Sequence, residues 1–378
     1  LNPHIRALPA YQPHGRAPFV ARARGITSTL TAQSGGIIEG MGSIVDLQGD
    51  TWERAEIRGE GALVVNLPVP NQAPGGRALE VFGDHHGNRD IVWAGDVFFQ
   101  ADHDHQGEVV GAMAGGEARS FGAVVEEVRN RRNGPEPALD TTDNLAELVT
   151  FLNRAREYKE APGQSIRPAD APFEVNVWAG DVVLFEAMRP VLRGEVPVFF
   201  RADSEWQIRH VLLLAEEYPE LDVVIVGGVQ AFRMADEIAA SGIPVVLTRT
   251  RNPTPDRDDP VTASMANAAI LHEAGVTIAF ATDESADVRN LPEHASIAVA
   301  HGLPADVAYQ AVTINAAGVL GIADLTGSLE PGKRADLLVT DGHPLQPLTR
   351  IETMFIGGLE VDPRDNDHHR EYLKFVDR

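Results

Sequence analysis

Two rhythms of apolar and polar positions alternate along the C-terminal half of the chain. Residues 196–201, 222–226, 243–247 and 276–281 are short apolar runs, and residues 186–193 before them and 205–218, 231–241 and 262–273 between them repeat apolar positions every three or four. Runs of about five residues suit strands, and the longer stretches suit helices with one buried face. Their alternation predicts parallel βα units joined by right-handed crossovers.

The N-terminal half is less regular. Arg24-Gly-Ile-Thr-Ser-Thr-Leu-Thr-Ala32 alternates β-branched and small residues after a glycine and predicts a buried strand, the second of a barrel. Gly35, Gly36 and Gly40 predict a loop at the barrel mouth, and residues 61–66 a third strand ended by Pro68 and Pro70. With residue 283 closing the eighth strand, residues 196–201 count as the fifth, 222–226 as the sixth and 243–247 as the seventh, and the first strand is expected before residue 1. Residues from about 71 to 172 form an irregular insertion with one clear helix, 143–159. Val92-Trp-Ala-Gly-Asp-Val97 recurs as Val177-Trp-Ala-Gly-Asp-Val182, and Val97-Phe-Phe-Gln-Ala-Asp102 as Val198-Phe-Phe-Arg-Ala-Asp203, an echo of partial duplication without a solenoid period. Beyond the helices, residues 335–340 and 351–361 predict short strands around a Gly-His-Pro turn, followed by an acidic tail with His368-His369.

Composition sets limits on function. At 378 residues and 43% hydrophobic, the chain can bury a large core. Its formal charge of −23, from 55 acidic and 32 basic residues, repels nucleic acid and anionic membrane surfaces, so neither is expected as a partner. No apolar run reaches the ~18 residues that cross a bilayer. With no cysteine, any metal must be held by His, Asp, Glu or a modified Lys. Cysteine-free chains suit either redox setting, and the chain opens Leu1-Asn2-Pro3 rather than with Met, so a signal peptide would lie before residue 1 and the compartment stays open.

The chemistry concentrates near the end of the predicted barrel. Ala274-Gly-Val-Thr-Ile-Ala-Phe-Ala-Thr-Asp283 is an apolar run that delivers an acid at its carboxyl end, the end that faces the active site in a parallel barrel. The alternative is that Asp283 caps the following loop or helix. Gly327-Ser-Leu-Glu-Pro-Gly-Lys-Arg-Ala-Asp336 is a turn-rich exit into a further strand.

These two segments, with Thr313-Ile-Asn-Ala-Ala-Gly-Val-Leu-Gly321 and Arg289-Asn-Leu-Pro-Glu-His294, resemble the C-terminal end of the amidohydrolase superfamily, in its imidazolonepropionase-like branch. Weaker likeness runs through Asn2-Pro-His4, the stretch from Arg24 to Gly40, and Pro197 to Asp203. The resemblance implies a TIM-type (β/α)8 barrel lacking its first strand over residues 1–325, with the remnant of a small β-sandwich in residues 326–378. It also implies water activated on one or two divalent cations, zinc foremost. In the family these are held by a His-x-His on the first strand, a Lys or Glu on the fourth, His on the fifth and sixth, and Asp on the eighth. Asp283 matches the last of these as metal ligand and general base.

Arg201 stands where the family has its fifth-strand histidine, and Gly227-Gly228 where it has the sixth. A guanidinium does not give up its proton to coordinate a cation. Arg201 is expected to bind a substrate carboxylate or to pair with Asp203 or Asp283. His294, early on a helix near the mouth, and Asn66, at the end of the third strand, are further candidate substrate contacts; a backbone carbonyl is the alternative partner for His294. His103-Asp-His105 has first-strand spacing but follows two barrel strands, and it is assigned, with His85-His86, to loops. Ser34, Gly35 and Gly36 offer backbone N–H groups to an anion. Asn315 and Lys333 are assigned to structure.

The expected function is hydrolysis of a non-peptide carbon–nitrogen bond in a small cyclic amide or an acylated amine or amino acid. The alternative is a metal-free binding or structural protein on the same scaffold. An open barrel also exposes strand edges, which predicts homo-oligomers.

Overall fold

The computed structural model describes residues 1–67, 81–83, 89–94, 97–102, 109–113, 143–160, 179–251, 259–282 and 287–364. The chain divides into two compact units, Leu1–Leu67 with Leu148–Arg378, and Pro68–Glu147.

The larger unit is built on a mixed seven-stranded sheet in the order β1 (Ser28–Thr31), β2 (Ile38–Asp46), β3 (Glu56–Asn66), β8 (Val198–Ala202), β9 (Val223–Gly227), β10 (Val245–Leu247) and β11 (Ile278–Phe280). From β3 to β11 all neighbours are parallel, and helices follow the strands. α5 (Glu205–Glu217) follows β8, α6 (Ala235–Ser241) follows β9, and α7 (Ala263–Glu273) follows β10. This α/β arrangement is an incomplete TIM-type barrel, and the alternating rhythm of the sequence locates each of its βα units to within a few residues. Phe200, Ile225, Leu247 and Phe280 are buried on the other face, while Phe199, Val224, Val246 and Ala279 form one cluster on the concave face with Ala62 and Val319. Adjacent residues of a strand point to opposite faces, so each strand feeds both layers.

The N-terminal side departs from the expected order. Residues 24–32 do carry a strand, β1, but it runs antiparallel to β2, and β2 antiparallel to β3. β2 occupies residues expected to form a loop. Its glycines read as breakers, yet they permit close approach: a Cβ at Gly42 would stand 3.1 Å from the Thr31 carbonyl oxygen of β1. β3 pairs directly with β8, so it takes the fourth place if β8 is the fifth.

α3 (Asp143–Glu160) and α4 (Ala179–Met188) pack through Phe151, Tyr158 and Phe185, with ring centroids 5.5–5.6 Å apart. Late in the chain, α8 (Leu291–Ala300), α9 (Ala305–Ala311) and α10 (Ile314–Val319) precede an antiparallel sheet of β12 (Leu337–Thr340), β13 (Ile351–Ile356) and β14 (Leu359–Val361). Met354, Ile356 and Val361 bury against Ala21 of α1 (Arg16–Arg22) and Leu47. Asn315 donates to the Ile278 carbonyl at 3.1 Å and ties α10 to β11.

The smaller unit contains β4 (Val81–Gly83), β5 (Arg89–Ala94), β6 (Val97–Asp102) and β7 (Val109–Met113) as one antiparallel sheet in that order. Both Val-Phe-Phe copies of the echo lie in strands, β6 and β8. Ala179-Gly-Asp-Val182 opens α4, while Gly95 and Asp96 of the other copy lie outside the described residues.

Candidate active site

The parallel strands β3, β8, β9, β10 and β11 deliver their carboxyl ends to one rim, the place where such sheets bind ligands. A cleft of about 1630 Å³ opens on the concave face, with Val64, Phe199, Arg201, Val226, Val246 and Thr248 among its walls. Alternation along β8 explains Arg201: it shares a face with Phe199, two residues earlier and deeper in the cleft. Ala281 and Thr282 line the same cleft just after β11. The next residue, Asp283, lies outside the described residues, as do His85, His86, His103, His105 and His368-His369.

The guanidinium of Arg201 is anchored. Its Nε donates to the Glu39 carboxylate at 3.1 Å, and the Gly35 backbone N–H donates to the other Glu39 oxygen at 3.3 Å. Glu39 is only 5% exposed, whereas the Arg201 side chain keeps 29% of its surface. A buried carboxylate needs such partners to offset its lost hydration. Glu39 escaped the sequence reading, although an acid inside the apolar Gly36-Ile-Ile-Glu-Gly40 stretch was a signal for a partnered buried charge. Asn66 is the Cα partner of Arg201 across β3 and β8; it is exposed, and its N–H donates to the Ile37 carbonyl at 2.7 Å.

The end of β9 is closed to any side chain. Gly227 has φ 104°, and a Cβ built on it would meet Asp203 Oδ1 at 2.4 Å. That conformation is strained for every residue except glycine. Asp203 covers the place a sixth-strand ligand would take.

Among the described residues, the donor set does not fit a divalent cation. The end of β8 offers a permanent cation, the end of β9 has no side chain, and Glu39 is committed to Arg201. No group of three or more His, Cys, Asp or Glu able to hold a metal occurs among the described residues.

His294, on the first turn of α8, is 2% exposed and is not among the residues that line the cleft. Its Nε2 lies 3.2 Å from Asp287 Oδ2, so its partner is a carboxylate rather than a backbone carbonyl. Asp287 also binds Asn290 and, at 3.7 Å, Arg251. Burial lowers the His294 pKa below the usual 6.5, against the opposing pull of Asp287. The structure thus makes Arg201 and Asn66 neighbours across β3 and β8, but of the three candidates only Arg201 is among the residues that line the cleft. Tyr11, another wall residue missed in the sequence, has its phenol pushed up to about 12, first by burial and then by Asp46.

Residues 209–360 match the Amidohydrolase family model. An imidazolonepropionase from Geobacillus kaustophilus is 47% identical over 78 residues, 20% of this chain and 18% of that protein. A 5-methylthioadenosine/S-adenosylhomocysteine deaminase from Halobacterium salinarum is 26% identical over 229 residues, 53% of this chain and 50% of the relative. The chain therefore spans half or less of the length of these curated relatives. Among solved structures, an amidohydrolase from Thermotoga maritima superposes with a TM-score of 0.64 at 22% identity, covering 95% of this chain and 78% of that one, a likeness of fold.

Proposed function

We propose that this chain, an imidazolonepropionase-like protein of the amidohydrolase superfamily, is a hydrolase of non-peptide carbon–nitrogen bonds in a small cyclic amide or an acylated amine or amino acid. The observation that carries the reading is the cleft at the carboxyl ends of β3, β8, β10 and β11, with Arg201 in its wall and Thr282, the neighbour of Asp283, in its lining. The imidazolonepropionase and the deaminase among its relatives are consistent with carbon–nitrogen chemistry.

In this reading Asp283 is the general base. Its carboxylate takes a proton from water as the water oxygen bonds to the amide carbon, and the same proton passes to the leaving nitrogen as the carbon–nitrogen bond breaks. Arg201 binds a substrate carboxylate, and Asn66 beside it supplies an amide to the substrate's polar edge. His294 keeps Asp287 in place, four residues beyond the base. No step is assigned to a metal, because the ends of β8 and β9 do not suit one.

A second reading, a binding protein without catalysis, is favoured by Gly227, where a positive φ and the Asp203 carboxylate leave no room for a ligand side chain. Amine release from a panel of N-acyl amino acids and cyclic amides, before and after Asp283→Asn, separates the two. The hydrolase reading expects turnover that falls about 100-fold or more in the variant. Tight binding without turnover in the unmodified protein would leave only the second.

A further inference from the structure

We propose that the cleft is an acyl-chain site, and that the amide this protein hydrolyses carries a long unbranched acyl group lying along the concave face of the sheet, with the scissile bond at the rim. This inference rests on the hydrolase reading and narrows its substrate class; the products are then a long-chain carboxylic acid and an amine.

The size of the cleft argues for such a chain. Its volume of about 1630 Å³ exceeds the roughly 300–1,000 Å³ of ordinary small-molecule sites. It also runs the length of the sheet, since Arg201 at the rim and Leu47 at the far end both line it. β2 measures that interval: Ile37, just before it, accepts the N–H of Asn66 beside Arg201, and Leu47 follows its last residue. At about 3.3 Å per residue, its nine residues cover roughly 25–30 Å. An acetyl group or a small ring at the rim would fill only the near end.

The lining sets the chemistry of the occupant. Leu30 of β1, Val226 of β9, Ala281, Ala316 of α10 and Leu320 pack against the buried cluster of the concave face but stay only partly buried, and all five line the cleft. Ile26, Leu338 and Ile351, equally half-covered over the second cluster, continue this apolar track toward Leu47. Thr29, on the β1 side, turns its hydroxyl to the Leu30 carbonyl at 3.3 Å. Such walls offer water few hydrogen bonds, so covering them releases it at a gain. A sugar or a peptide would strand polar groups against them, whereas an alkyl chain has none to lose. Thr248 and Thr282 stand at the rim instead, next to position 283, where the amide of such a substrate belongs.

N-acyl glycines with unbranched acyl groups of six, ten and fourteen carbons, each kept below its micelle concentration, test this by calorimetry on Asp283→Asn and by glycine release from the intact protein. The dissociation constant should fall about threefold or more for every two methylenes added, short of the ~fourfold per methylene of complete burial, with one ligand per chain. Ala316→Phe and Val226→Phe, made in the same Asp283→Asn background, each put a ring into the track, at two positions in case one variant does not fold. Each should weaken the fourteen-carbon compound about tenfold or more and the six-carbon compound less. Adsorption to apolar surface elsewhere would leave the series unchanged in both. A series flat in Asp283→Asn, as a polypeptide segment seated in the cleft would make it, or one unchanged in the folded ring variants, overturns the proposal. Chain-length dependence without glycine release would remove the hydrolase reading alone; glycine release equally fast from all three compounds would remove this inference alone.

Discussion

At the scale of single residues, the site is decided by backbone as much as by side chains. Gly227→Ala should destabilise the protein by about 2 kcal/mol or more, because its Cβ meets a carboxylate oxygen at 2.4 Å in a conformation reserved for glycine. Chemical denaturation checks this, and an unchanged midpoint would contradict it. His294 gives a pH signature with a definite sign. Its folded pKa is depressed, so below about 6.5 the unfolded chain binds a proton that the folded chain refuses. The stability it contributes is present above that pH and is lost as pH falls through the lower folded value. His294→Gln should flatten the fall in Tm between pH 7 and 5. Arg201 and Asn66 were legible as strand-end residues from the period of their strands. Glu39 was not, because the β-bulge that carries it depends on a partner strand that only the folded chain supplies.

At the scale of elements, capping chemistry sets where α5 begins and ties it to the rim. The Ser204 hydroxyl accepts the Gln207 N–H at 3.3 Å, and Gln207 Oε1 accepts the N–H groups of Asp203 and Ser204 at 3.1 Å. Gln207 is buried, and its Nε2 also donates to the Leu67 carbonyl at 2.9 Å, joining the end of β3 to the start of α5. Gln207→Ala should therefore cost about 2 kcal/mol, more than the ~1 kcal/mol of an ordinary cap, and a cost below that of Ser204→Ala would refute the link. The βα units from β8 to β11 were readable because each strand and helix carries its own period. β2 was not readable, because its glycines signal a loop until β1 and β3 close over them.

At the scale of the whole molecule, the sheet order ends at β1 on one side and β11 on the other. Strand ends of this kind invite pairing with another chain, so sedimentation at micromolar concentration is expected to give a dimer or larger species; a stable monomer would contradict that. The formal charge of −23 keeps polyanions away from the surface, while the cleft holds a cation at its wall. Family, fold and cleft were all within reach of the sequence, since they rest on local patterns and on a resemblance carried by contiguous residues. The pairing across β2, β3 and β8 was not, because it joins residues 39 and 201 through a strand between them. The most direct test is a crystal structure of Asp283→Asn with a bound N-acetyl amino acid. The ligand's carboxylate should lie against Arg201 and its amide carbon beside position 283. A ligand bound outside the cleft, or position 283 turned toward bulk solvent, would contradict the account.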